Sequence, residues 1–126
     1  VKTAVQIKKG QRDSLELGNL DSSRDWGHSK DYVRGMHAII TNDEPKDYVI
    51  ATGDTRTVRD FCRYTFDQLG MNYKDYVTQN PKFMRPEELK FLKGDSTPIR
   101  EELGWKPEYT FESMLDEMIE FWMNNV

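Results

Sequence analysis

The chain has 126 residues, 18 basic and 22 acidic, giving a formal charge of −4 and a pI near 5.2, which argues against a broad nucleic-acid-binding surface. Its 37% hydrophobic and 12% aromatic content reads as one folded domain over residues 1–126, with a core large enough to need neither disulfide nor metal. The single cysteine, Cys62, excludes a disulfide framework and fits a reducing, cytoplasmic setting, and no apolar run approaches the ~20 residues of a membrane span.

In chain order, VKTAVQIKKG starts as if in mid-helix and has no signal-peptide apolar region, so the chain is expected to be a fragment or an excised domain. Gly10 ends that helix. Leu15 and Leu17, with Asn19, alternate with Glu16 and Gly18 as in a short strand. Asp25 to Ser29 form a turn. Tyr32, Val33, Met36, Ile39 and Ile40 then recur at helical spacing until Pro45 forbids continuation. Asp47 to Thr52 (DYVIAT) carries the strongest strand propensity in the chain. Thr57 and Asp60 bracket a capping box at the head of a helix whose stripe is Val58, Phe61, Cys62, Thr65, Phe66 and Leu69, stopped by Gly70. Tyr73 to Thr78 suggests another strand. Asn80 to Leu89, with two prolines, reads as a loop. Asp95 to Thr97 cap a short helix with Pro98 in its first turn, ending at Leu103-Gly104. Thr110 caps a last helix with the stripe Phe111, Met114, Leu115, Met118, Ile119, Trp122.

Several chemistries have no carrier here. No GxGxxG or GxxGxxG follows a strand, there is no P-loop, and none of the six tyrosines has Lys four residues on. His28 and His37 lack partners at metal-ligand spacing, and Cys62 lies on an apolar helix face, which makes it a buried, inert thiol. The positive signals are arginines beside turns. The planar guanidinium of Arg24 can hold a diphosphate by two parallel hydrogen bonds. A surface pair with Asp25 or Asp31 is the plainer reading of Arg24 from composition. Arg85, held by Pro86 and followed by Glu87 and Glu88, could present a cation to phosphate and a carboxylate to a sugar diol; a solvated charged loop is the plainer reading of the same residues.

One stretch resembles a known family. LGNLDSSRDWGHSKDYVRGM is similar to LGNLDxxRDWGHxxDYVxGM of the GDP-mannose 4,6-dehydratases, which are extended short-chain dehydrogenase/reductases. DYVIATGDTRTVRDFCRYTFDQLGM and RPEELKFLKGDSTPIREELGWKPEYTFESMLDEMI resemble two further segments of that family, so the likeness covers nearly the whole chain. It implies an α+β fold: the small C-terminal substrate-binding domain of an extended SDR, without the Rossmann domain that binds NADP and carries the catalytic Tyr-x-x-x-Lys. By resemblance, Leu17 and Asn19 line the nucleotide pocket, Arg24 holds the diphosphate, and Val58 packs on the base or ribose. Arg85 makes a second phosphate contact and Glu88 takes the ribose hydroxyls. Two departures stand out. The family's Lys after Gly-Asp-x-x is Pro98 here, and the usual Arg-Lys segment at the head of the first helix is absent or lies before Val1.

The resemblance implies a whole enzyme that converts GDP-D-mannose to GDP-4-dehydro-6-deoxy-D-mannose and water with NADP, of which this chain would be the substrate-binding portion, inactive and cofactor-free alone. A non-catalytic sugar-nucleotide binding or assembly module, or another extended SDR such as a nucleotide-sugar epimerase, remains open. The partners it implies are GDP-mannose or a related nucleotide sugar, the missing Rossmann domain and a homo-oligomeric mate, with no nucleic acid and no membrane.

Overall fold

A computed structural model describes all residues from Val1 to Val126. Helices carry most of the mass: α1 (Lys2–Lys8), α2 (Ser29–Ile40), α3 (Val58–Gln68), α4 (Thr97–Leu103) and α5 (Phe111–Asn125). Four three-residue strands pair in two separate ribbons. β1 (Leu15–Leu17) runs parallel to β4 (Val77–Gln79), and β2 (Ser23–Asp25) runs antiparallel to β3 (Thr55–Thr57). Single 3-10 turns at Tyr73–Asp75 and Pro81–Phe83 flank β4. This is the mixed α+β class expected from the sequence.

The core forms where the stripes of α1, α3 and α5 meet the β1–β4 ribbon. Ala4, Val5 and Ile7 of α1 pack with Cys62 and Phe66 of α3, Val77 of β4 and Ile119 of α5. Fully burying side chains of this size stabilises by about 1.5–3 kcal/mol each. Phe111, Met114 and Leu115 form a second cluster against Trp26, Phe61 and Tyr64. Cys62 is buried, and burial pushes its thiol pKa up, as suits an inert core group.

The caps expected at α3 and α5 are in place, whereas Ser96, the N-cap of α4, makes no side-chain capping bond. Thr57 Oγ1 accepts from Asp60 N at 3.0 Å, and Asp60 Oδ2 accepts from Thr57 N at 3.0 Å. Aspartate thus closes the box that Glu or Gln usually closes. The other first-turn donors of α3 are also used: Val58 N donates to Ser22 O and Arg59 N to Leu20 O. Thr110 and Ser113 form the reciprocal pair at the head of α5. Gly10, Gly70 and Gly104, each just past a helix, adopt positive φ.

Four expectations need correction. The strand suggested at Tyr73 to Thr78 is a 3-10 turn over Tyr73–Asp75, with a strand only at Val77–Gln79. The segment expected as the best strand, Asp47–Thr52, is not a strand, because no other strand of the chain lies beside it: no backbone–backbone hydrogen bond involves Lys46 to Ala51. Strand propensity measures fit to a pleated neighbour, and side chains hold this segment instead. Ser96 Oγ donates to Ala51 O at 2.8 Å and Arg100 Nη2 to Thr52 O at 2.8 Å. The apolar stripe of α2 is not the face that packs. Asp31 and Gly35 are buried, whereas Val33, Met36 and Ile40 are 61%, 55% and 81% exposed. Finally, the region expected to begin a turn at Asp25 instead contains β2, which ends there.

Asp31 explains why α2 sits as it does. One carboxylate oxygen accepts from Arg34 Nη2 at 2.7 Å and Glu108 N at 2.9 Å, and the other accepts from Tyr109 N at 3.2 Å. Its backbone carbonyl accepts the Trp105 indole N–H at 2.8 Å. Burial pushes the Asp31 pKa up, but the Glu108 amide, Arg34 and the Tyr109 amide overcome that and leave it below the ordinary carboxylate value. Replacing Asp31 with Ala strands two backbone donors, and chemical denaturation should show a loss of about 3 kcal/mol.

Candidate functional site

β2 is three residues long, and each residue ties down something different. Ser23 uses its backbone: its N–H donates to Lys90 O at 2.8 Å and its C=O accepts from Leu92 N at 3.1 Å, a parallel bridge centred on Phe91. Arg24 uses its guanidinium. Nη1 donates to Ser23 O at 2.8 Å and Leu89 O at 2.7 Å, and Nη2 reaches Glu88 Oε1 at 3.3 Å. The pairs with Asp25 or Asp31 considered from sequence do not form; Asp31 is taken by Arg34. Asp25 uses its carboxylate. Oδ1 accepts from Thr52 N at 2.9 Å and Thr52 Oγ1 at 2.6 Å, and Oδ2 accepts from Gly53 N at 2.8 Å and Gly94 N at 3.2 Å.

The loop from Asn80 to Gly94 is therefore fastened at its start, over Leu89 to Leu92 and at its end. At its start, Asn80 N donates to Leu17 O at 2.8 Å. Phe83 O lies where a Cβ on Gly18 would be, only 2.6 Å away, so glycine alone lets the loop approach the end of β1. In the middle, the loop hydrogen-bonds Ser23 and Arg24. At its end, Gly94 N reaches Asp25 and Gly94 Cα abuts Ala51, whose Cβ would lie 2.2 Å from an added methyl.

This fastening places the residues singled out from sequence. Leu17 ends β1. Asn19 follows it in an Asx turn, its Oδ1 accepting from Asp21 N at 2.9 Å. Val58 opens α3 and packs on the core beside Leu17. Arg24 and Glu88, 64 residues apart, touch. Arg85 lies on the same loop, between Phe83 at Gly18 and Glu88 at Arg24, exposed and without a hydrogen-bond or ion-pair partner. Leu17 and Val58 also line an apolar cavity of about 220 Å³, walled by Trp26, Phe61, Cys62 and Thr65 among others. The indole N–H of Trp26 donates to Arg56 O at 3.1 Å, and its ring packs on Phe61 at 4.9 Å.

Sequence reasoning did not single out Asp25, Gly18, Gly94 or the Ser23 backbone. Asp25 adjoins Arg24 in the Arg-Asp-Trp-Gly run, and a carboxylate beside a glycine-bearing turn is the one signal that could have marked it. The others act through backbone and leave no trace in residue type. No group of three His, Cys, Asp or Glu side chains could hold a metal ion. No helix is long and apolar enough to cross a membrane.

The comparisons with known proteins agree over almost the whole chain. The sequence profile described as GDP-mannose 4,6 dehydratase matches residues 1–118. The chain belongs to the GDP-mannose 4,6-dehydratase family. It is 38% identical to the GDP-mannose 4,6 dehydratase of Homo sapiens, over 94% of this chain and 36% of that protein. It is 43% identical to the GDP-mannose 4,6 dehydratase 2 of Arabidopsis thaliana, over 91% of this chain and 31% of that one. The chain thus spans about a third of the length of the curated relatives it matches. Among solved structures it resembles RMD from Pseudomonas aeruginosa complexed with NADPH, with TM-score 0.88 and 23% identity, over 99% of this chain and 41% of that one. It also resembles the UDP-glucose 4-epimerase of Bifidobacterium longum in complex with NAD+ and UDP, with TM-score 0.80 and 20% identity, over 98% and 39% of the two chains. These likenesses show that the chain shares its fold with part of each of those two proteins.

Burial pushes the Asp25 pKa up, but hydrogen bonds from the Thr52 hydroxyl and the Thr52, Gly53 and Gly94 amides outweigh it and leave the value below the ordinary carboxylate range. A folded-state pKa below the unfolded one gives stability that is present above the unfolded value, about 3.9, and lost as pH falls through the folded value. Asp25 and Asp31 are both of this kind. Thermal unfolding should therefore vary little from neutral pH to about 5 and weaken below about 4, with a shallower acid decline in Asp25→Asn.

Proposed function

We propose that this chain is the substrate-binding portion of a GDP-mannose 4,6-dehydratase. The whole protein would convert GDP-D-mannose to GDP-4-dehydro-6-deoxy-D-mannose and water. One observation carries the reading: the loop that holds Arg85 and Glu88 is fastened to β2 so that Arg24 and Glu88 meet, in a chain whose family acts on GDP-mannose. Arg24 and Arg85 would grip the diphosphate, since guanidinium offers paired donors matched to phosphate oxygens. Glu88 would accept from the ribose hydroxyls. Leu17, Asn19 and Val58 would line the nucleotide, next to the apolar cavity they border. Holding the sugar in one pose against a reacting partner can contribute on the order of several kcal/mol to the barrier.

The residues present do not fit a dinucleotide cofactor. Both ribbons have two strands, and neither strand-to-helix turn, at Trp26–His28 or Thr57, carries a run of three glycines. NADP, which supplies hydride transfer in the whole enzyme, would be bound by the remaining two thirds of the protein. That same part would cover the open face of α2 (Val33, Met36, Ile40) and Val49, which is 55% exposed. A homo-oligomeric, cytoplasmic enzyme is the corresponding setting.

Two outcomes follow. Calorimetry and Trp26 fluorescence should report saturable GDP binding that Arg24→Ala and Arg85→Ala each weaken about tenfold or more. GDP affinity equal in wild type and both variants would sink the assignment. The 126-residue chain by itself should self-associate in sedimentation, and Met36→Lys with Ile40→Lys should reduce that association. A monodisperse monomer without the lysines would contradict the open-face reading.

A further inference from the structure

Resting on the nucleotide reading above, we propose that the Arg24–Glu88 ion pair sets the specificity of this site. Glu88 occupies Arg24 until a ligand brings both an anion for the guanidinium and a vicinal diol for the carboxylate. The two side chains are 25% and 23% exposed, so each is partly withdrawn from water and costly to leave without a partner.

The geometry of Arg24 gives the reason. Both protons of Nη1 are committed to backbone carbonyls, Ser23 O and Leu89 O, which fixes the plane and direction of the guanidinium. One Nη2 proton goes to Glu88. Of the five donors, the Nε–H and one Nη2–H remain without a partner, and free guanidinium donors match the oxygens of a phosphate group. An anion seated there lies beside the Glu88 carboxylate. The two negative charges repel, and the attraction that held Glu88 is divided between them.

Glu88 can leave, because it sits on a loop whose neighbouring side chains, Arg85 to Glu87 and Leu89 to Lys90, are exposed. What it meets on leaving decides the outcome. Inorganic phosphate or pyrophosphate offers it nothing, so such an ion gains Arg24 while stripping Glu88 of its partner. A nucleoside diphosphate extends from the phosphates to a ribose whose two hydroxyls can donate to the released carboxylate. The pair thus opposes bare anions, whereas for ligands carrying both groups at the right separation the two diol hydrogen bonds outweigh the lost pair. Glu88 acts as a recognition group for the diol and as a competitor for the phosphate subsite.

These two roles carry opposite signs, which makes the proposal testable. Calorimetric titrations of the full-length protein would use inorganic pyrophosphate and GDP, with wild type, Glu88→Gln and Glu88→Ala. Both variants should bind pyrophosphate at least about threefold more tightly than wild type, the scale of releasing one partly exposed ion pair. Both should bind GDP more weakly. Pyrophosphate affinity that is unchanged or lowered in the variants, with GDP still bound by wild type, would overturn the role of the pair and leave the nucleotide reading intact. Affinities for both ligands that rise together would overturn the diol contact. Wild-type protein that binds no GDP would overturn the nucleotide reading and the present inference with it.

Discussion

The arrangement depends on a single carboxylate. Asp25 accepts four hydrogen bonds, from both polar groups of Thr52 and from the backbone amides of Gly53 and Gly94. Three of those donors are backbone N–H groups in segments with no strand or helix to satisfy them, and an unmet backbone donor away from water costs free energy comparable to a lost hydrogen bond. Asp25 therefore decides where two loops can go. One follows the unpaired segment ending at Thr52. The other closes the long loop that carries Arg85 and Glu88. Because Asp25 and Arg24 are neighbours in β2, the residue that fixes the frame and the residue proposed to meet the ligand are positioned by the same two peptide units.

The rest of the site builds outward from that strand. Antiparallel pairing with β3 sets β2 against the head of α3, whose first-turn donors are satisfied by Leu20, Ser22 and Thr57. The helix terminus is thus closed to ligands, and any anion must be met by side chains. Arg24 is the candidate that the frame holds rigid. Arg85 has no partner, and neither its side chain nor its backbone is hydrogen-bonded. A site with one fixed and one free arginine can fix the first phosphate contact and let the second adapt.

Much of this was legible in the sequence, for identifiable reasons. Helices α3 and α5 announce themselves because their caps and stripes are local: Thr57 and Asp60, or Thr110 with Phe111, Met114, Leu115 and Ile119, depend on nothing beyond a few turns. The α+β class was likewise within reach, and the resemblance assigned Arg24, Arg85 and Glu88 to one ligand without predicting that Arg24 and Glu88 touch. What failed was whatever depended on a neighbour elsewhere in the chain. Tyr48, Val49 and Ile50 have strand character, but a strand needs a partner, and this chain supplies none. Val33, Met36 and Ile40 form an apolar stripe, but the face of α2 that packs is chosen by buried Asp31, a residue type that pattern reasoning assigns to the surface. β2 was missed because Ser-Arg-Asp has no strand signature at all. It is a strand because Thr55 to Thr57 lie beside it and because its two ionic side chains find partners 27 to 69 residues away.

The most direct test is a crystal structure of the protein with GDP bound. The account requires phosphate oxygens within hydrogen-bond distance of the Arg24 guanidinium, the ribose hydroxyls on Glu88, and all four Asp25 hydrogen bonds still in place, with the frame unmoved while Glu88 changes partner. A diphosphate bound away from β2, or seated there only after Asp25 has released Thr52, Gly53 and Gly94, would contradict it.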